Sequence, residues 1–133
     1  MATSTTRRCL TAAGLALAGL LAGCARLAEG DVGQVALAFE DPAGDPAARC
    51  ALLTPATRAA LESDESMPCT DAIGRLPLGG GAVRAVEVWG DEAQVRMTDD
   101  TVFLTRTDAG WRVAAAACQA RREAPYDCQV EGP

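Results

Sequence analysis

Residues 82–118 read AVRAVEVWGDEAQVRMTDDTVFLTRTDAGWRVAAAAC, and the period of this stretch decides the fold. Ala93, Val95 and Met97 alternate with Gln94, Arg96 and Thr98. A two-residue period of this kind predicts a strand with one buried face. Strands are expected at 82–89, 101–107 and 111–118 as well. Gly90-Asp91 and Asp99-Asp100 supply turns, and Asp108-Ala109-Gly110 resembles a three-residue hairpin loop with Gly in the left-handed position. About four strands joined by short turns predict an antiparallel meander, with the tail 119–133 following it.

Upstream the period lengthens. Val32, Val35, Ala36 and Phe39 recur at i, i+3, i+4 and i+7 behind an Asp31 N-cap, which predicts a helix over 31–40. Asp41-Pro42-Ala43-Gly44 ends it. Asp45-Pro46 and Thr54-Pro55 each place a capping side chain before a proline at the first helical position, so two further short helices are expected, the second reaching about Ser63 with Ala60 and Leu61 facing inward. A helical piece over Thr70–Leu76 ends at Pro77. Leu78-Gly79-Gly80-Gly81 reads as a flexible joint; it lacks the strand-then-helix setting of a phosphate-binding loop. Helices followed by strands predict an α+β domain, with short N-terminal helices packed on the C-terminal sheet.

The first 23 residues have a different character. Arg7 and Arg8 precede CLTAAGLALAGLLA at 9–22, an apolar run without charge. Spanning a bilayer takes roughly 20 apolar residues. The run is shorter and fits the hydrophobic region of a signal peptide. It leads into Leu21-Ala22-Gly23-Cys24, which resembles the lipobox of bacterial lipoproteins at all four positions. That resemblance implies a diacylglycerol thioether on Cys24, cleavage before it, and a chain held on the outer face of the cell membrane. Two acyl chains suffice for stable anchoring. The expected division is a signal peptide over 1–23, a lipidated tether over 24–30 and one small domain over 31–133. Thr6-Arg7-Arg8-Cys9-Leu10 also partly matches a twin-arginine export signal. An Arg-only, Ala- and Gly-rich composition without Lys or His resembles that of actinobacterial lipoproteins.

After the cleavage so implied, ten Arg face eighteen Asp and Glu, a net charge near −8. Such a domain repels phosphate backbones, which argues against nucleic acid as a partner, and its attachment to a membrane must come from the lipid rather than a basic patch.

Cys50, Cys69, Cys118 and Cys128 remain. An even number in a small exported domain predicts two disulfides. Of the three connectivities, Cys50–Cys69 and Cys118–Cys128 are preferred, because each pair brackets a local segment with turn residues. No Cys-x-x-Cys and no His are present, so neither a zinc site nor a dithiol redox pair is expected.

The order of elements, with LLTPATRAALE before the sheet and TVFLTRTDAGWRVAAAAC closing it, resembles small lipoproteins of the NTF2-like (cystatin-like cone) type over about residues 31–130. That fold hosts enzymes, binders and assembly modules alike. Its enzymes place Asp and Tyr inside the cone, whereas the one Tyr here, Tyr126, lies in the tail. Nucleophilic catalysis also lacks a His or Lys base. Asp99-Asp100 reads as a solvated turn, Trp89 and Trp111 as packing residues, and Asp64, Glu65 and Asp71 as surface charge rather than a calcium site. Glu87, Arg96, Arg106 and Arg112 are the candidate ligand face, weighed against the solvated face of a half-exposed sheet. The expected function is a membrane-anchored envelope lipoprotein without enzymatic activity or cofactor, acting on an envelope protein partner. The alternative is a small molecule held on the concave sheet face.

Overall fold

The computed structural model describes the backbone of residues 13–122 and 125–133, with side-chain surroundings given from Ala25 onward. Arg7, Arg8 and Cys9 lie outside the described residues, as does the side chain of Cys24.

The first helix, α1 (Ala13–Glu40), begins well before Asp31. Residues 25–30, expected as an extended tether, are helical. The reason is local: Ala25, Arg26, Leu27, Ala28 and Glu29 are all strong helix formers, and Pro is absent until Pro42. Six helical residues rise only about 9 Å, against about 20 Å extended. The stripe of Val32, Ala36 and Phe39 is fully buried.

Both proline-led starts form helices. In α2 (Pro46–Ala51) the Asp45 carboxylate accepts from Ala48 N at 2.8 Å. In α3 (Pro55–Glu65) Thr54 Oγ1 accepts from Thr57 N at 3.0 Å. Caps of this type contribute about 1 kcal/mol. The short α4 (Cys69–Ala72) runs into a 3-10 turn at Ile73–Arg75. Glu62 of α3 steadies that start, accepting from Cys69 N and from Arg58 Nε, each at 3.1 Å. The Cys69 N–H, and then the Arg58 hydrogen bond, hold the Glu62 carboxyl below its usual range. Cys50 and Cys69 are disulfide-bonded, tying α2 to α4.

The sheet is antiparallel with strand order β1-β2-β3-β4-β5. The strands are β1 (Val83–Trp89), β2 (Glu92–Met97), β3 (Thr101–Thr107), β4 (Gly110–Gln119) and β5 (Asp127–Glu131). The meander has five strands rather than about four, because the tail returns as β5. Cys118 and Cys128 are register partners on β4 and β5 and are disulfide-bonded, so the bond staples the last strand onto the sheet. Val130 then reaches the core at 1% exposure.

The domain is therefore α+β, with helices covering one sheet face. Phe39, Leu53, Leu61 and Ile73 meet Val95, Val102, Leu104 and Val113 in a single buried cluster. Each such side chain contributes roughly 1.5–3 kcal/mol by leaving water. Leu53 also makes a parallel bridge to Val113: Thr54 N donates to Val113 O at 2.9 Å and Val113 N donates to Leu52 O at 2.8 Å.

Candidate functional site

The four strand residues of the candidate ligand face do not share one face. Residues directly opposite on antiparallel strands lie on the same side, and neighbours along a strand on opposite sides. Ala93, Val95 and Met97 are buried, so Gln94 and Arg96 face away from the helices. Glu87 pairs with Gln94 and shares that outer face. Thr105 pairs with Glu92 and with Arg112, which places Arg112 on the outer face too. Arg106 pairs with buried Trp111 and stands on the helix side.

The outer face is a polar surface with one aromatic contact. Arg96 Nη2 meets Glu87 Oε1 at 2.9 Å, with both side chains half exposed. Tyr126 lies edge-on against Phe103 at 5.0 Å, and Gln94 Nε2 donates to its hydroxyl at 3.0 Å. On the inner face Leu104, Trp111 and Met97 belong to the core, whereas Phe103 stands outside.

A groove of about 750 Å³ opens where α1 passes the β3–β4 hairpin. Leu27, Ala28, Asp31, Gln34, Val35 and Ala38 line it from α1, Leu52 from the end of α2, and Arg106 with Ala109, Gly110, Trp111 and Arg112 from the hairpin. Gly110 takes φ +95°, the left-handed turn conformation that glycine adopts freely. The Arg106 guanidinium lies over the Trp111 ring at 5.8 Å. Arg112 Nη1 curls back to donate to Trp111 O at 2.8 Å. The ion pairs among the described residues are Arg58–Glu62, Arg96–Glu87 and Arg121–Asp127, so neither groove arginine has a carboxylate partner there. The groove can offer two guanidinium groups, one carboxylate and an apolar wall to a single ligand. Leu27 at its mouth is 72% exposed.

A second cluster is buried. Asp99 is exposed, but Asp100 is only 7% exposed, contrary to the solvated turn expected for both. Its carboxylate accepts from Thr101 N at 2.6 Å, Cys118 N at 2.7 Å and Ala117 N at 2.8 Å. These bonds hold β4 where Ala117 adopts φ 53°. Left-handed backbone costs a residue with a Cβ roughly 1–2 kcal/mol. Glu40, at the end of α1, is 3% exposed. Its Oε2 accepts from Gly79 N at 2.7 Å and Gly80 N at 2.9 Å. The glycine stretch is thus pinned rather than a flexible joint, and its amides are taken by a carboxylate of the chain itself. A Cβ on Gly80 would come within 3.0 Å of Asp100 Cβ and Met97 Sδ, so only glycine admits this approach.

Burial pushes the Glu40 carboxyl up to about 7; the adjacent Asp100 adds to the rise and the Gly79 and Gly80 amides oppose it. Arg49 is also buried, and its Nε donates to Phe39 O at 2.7 Å. Burial lowers the Arg49 pKa from its ordinary value, while the Glu40 and Asp41 charges raise it. Neither Glu40 nor Asp100 lines the groove. The sequence reading missed this cluster. Its one signal was the run of glycines downstream of an acid that closes an apolar helical stripe.

Among the described residues no group of three or more His, Cys, Asp or Glu is placed to hold a metal ion. No helix among them is long and apolar enough to cross a membrane. No family model, no curated protein and no solved structure matches the chain.

Proposed function

We propose that the chain is an exported lipoprotein, cleaved before Cys24 and anchored through lipid on that residue, whose domain binds an envelope protein partner and catalyses no reaction. The observation that carries this reading is the position of the groove. Leu27 lies three residues beyond Cys24 on α1. At about 1.5 Å per helical residue the groove mouth then stands within roughly 5 Å, along the helix, of the anchored residue. A surface held there meets the juxtamembrane segment of another protein more readily than a freely diffusing solute. Two arginines without carboxylate partners among the described residues and an apolar wall suit a segment that carries both acidic and apolar side chains.

The small-molecule alternative, with its NTF2-like cone, is favoured by one observation: Arg106 and Trp111 bring the groove onto the inner side of the sheet. The rest of that side is occupied by Met97, Leu104 and Val95, so any such ligand is confined to the groove.

Two measurements test the reading. The native protein should give a mass with diacylglycerol on Cys24 as first residue, and Cys24→Ala should leave the chain unprocessed; an unlipidated mature N-terminus would end the anchor reading. A photo-crosslinking side chain at Ala109 should capture a discrete protein from intact membranes, and one at Arg84 should not. Identical capture from both positions, or none, rejects the groove as the contact surface.

A further inference from the structure

We propose that Glu40 and Asp100 share a single proton, and that this proton is the pin of a latch joining the end of α1, the glycine stretch at 79–80 and the irregular turn of β4 at Ala117. The geometry leads to it directly. Both carboxyls are buried, and Gly80 lies against each of them: its amide donates to Glu40 Oε2 at 2.9 Å, and a Cβ on it would come within 3.0 Å of Asp100 Cβ. Among the described residues, all the hydrogen bonds they receive come from backbone N–H groups: Gly79 and Gly80 on Glu40, and Thr101, Ala117 and Cys118 on Asp100. Two ionised carboxylates have no hydrogen between them, and Glu40 Oε1 is buried without a partner. One proton on the pair supplies the missing donor, and Glu40, with fewer amide bonds, is the acid that keeps it.

The charged surroundings agree with a pair of charge −1. Of the groups packed nearby, Asp100 comes from the β2–β3 turn and opposes ionisation of Glu40. Arg49 comes from α2; its interaction with Glu40 is attractive, and its Nη2 is buried without a partner. Removing the shared proton leaves two buried carboxylates side by side, a state that Asp100 opposes.

The latch therefore responds to pH in a defined direction. In the unfolded chain Glu40 ionises near 4.5, whereas in the folded chain it holds its proton to about 7. Between these values the folded state binds more protons, so stability falls as pH rises and levels off above about 7. What ionisation disfavours is the burial of Glu40 beside Asp100; when Glu40 leaves that position it takes with it the bonds from the Gly79 and Gly80 amides, which alone tie the glycine stretch to α1 among the described hydrogen bonds.

The test uses the full chain in detergent micelles. Carbon NMR of the side-chain carboxyls should place the Glu40 titration near pH 7. Hydrogen exchange at Gly79 and Gly80 should speed at least ten-fold between pH 6 and 8 beyond the intrinsic base-catalysed increase. Glu40→Gln, which donates to Asp100 at every pH, should abolish that extra acceleration. A Glu40 carboxyl that titrates at 4.5 or below overturns the proposal, as does a Glu40→Gln chain with the wild-type exchange profile. Should Glu40→Gln fail to fold, the wild-type carboxyl titration decides alone.

Discussion

Glu87 with Arg96 and Glu40 with Asp100 are two charged pairs in very different solvents. The first is an ion pair on the outer sheet face with its side chains about half exposed (51% and 53%). Water already solvates both ions, so pairing gains little and is screened by salt. The second pair joins two acids, lies in the interior and is held by five backbone N–H groups. Among the described residues those amides, with the proton proposed for the pair, replace the lost water. Opposite charge is thus a poor guide to which pair matters here. The number of backbone groups each carboxyl organises is the better one.

That contrast breaks most readily at Asp100. Asp100→Ala leaves the Ala117 and Cys118 N–H groups unmet in the interior and removes the support for the left-handed Ala117. Denaturant unfolding should show a loss of about 3 kcal/mol or more. A smaller loss, below about 1 kcal/mol, would mean that water enters and replaces the carboxylate. Next comes the pH response of the buried pair. A Glu40 carboxyl near 7 rather than 4.5 corresponds to roughly 3 kcal/mol at most, lost as pH rises across that range. Raising the salt to 1 M should leave this pH slope nearly unchanged, because a buried pair is little screened. The smallest effect belongs to the exposed pair. A double-mutant cycle on Glu87→Gln and Arg96→Gln should return a coupling of about 0.2–1 kcal/mol at low salt and none measurable at 1 M. A coupling as large as the Asp100 effect would erase the distinction between the two faces.

The same contrast explains what the sequence disclosed. The strands from 82 to 118 were legible because alternation reports which side of a sheet is dry. The disulfides were legible because each closes a short local segment. The strand β5 was overlooked although Cys128 and Val130 alternate with Asp127, Gln129 and Glu131. Five residues with two apolar positions make a weak pattern until Cys118 fixes their partner. The continuation of α1 through 25–30 was obscured by reading that segment as a tether, against its helix-forming composition. At the site, the sequence picked out polar residues on strands but not their sides, so Arg106 was grouped with residues on the opposite face. Glu40 and Asp100 were harder still. A Glu ending a helix and a second Asp in a turn are ordinarily solvated. They are buried here because Gly80, without a side chain, lets the backbone close over them.

The bridge between Leu53 and Val113 has a consequence for self-association. A strand that ends a sheet offers bare backbone to any other chain, and edge pairing is a common route to aggregation. β4 would be such an edge along its first half, since β5 pairs only with residues 115–119. The link between α2 and α3 takes the Val113 amide and carbonyl instead. Among the described strands that leaves β1 as the long open edge, and there the register shifts at Arg84 and both Arg84 and Glu87 are exposed. An irregular, charged edge is a poor template for a second copy. Copies crowded side by side on one surface would then stay separate, each free to meet a different neighbour.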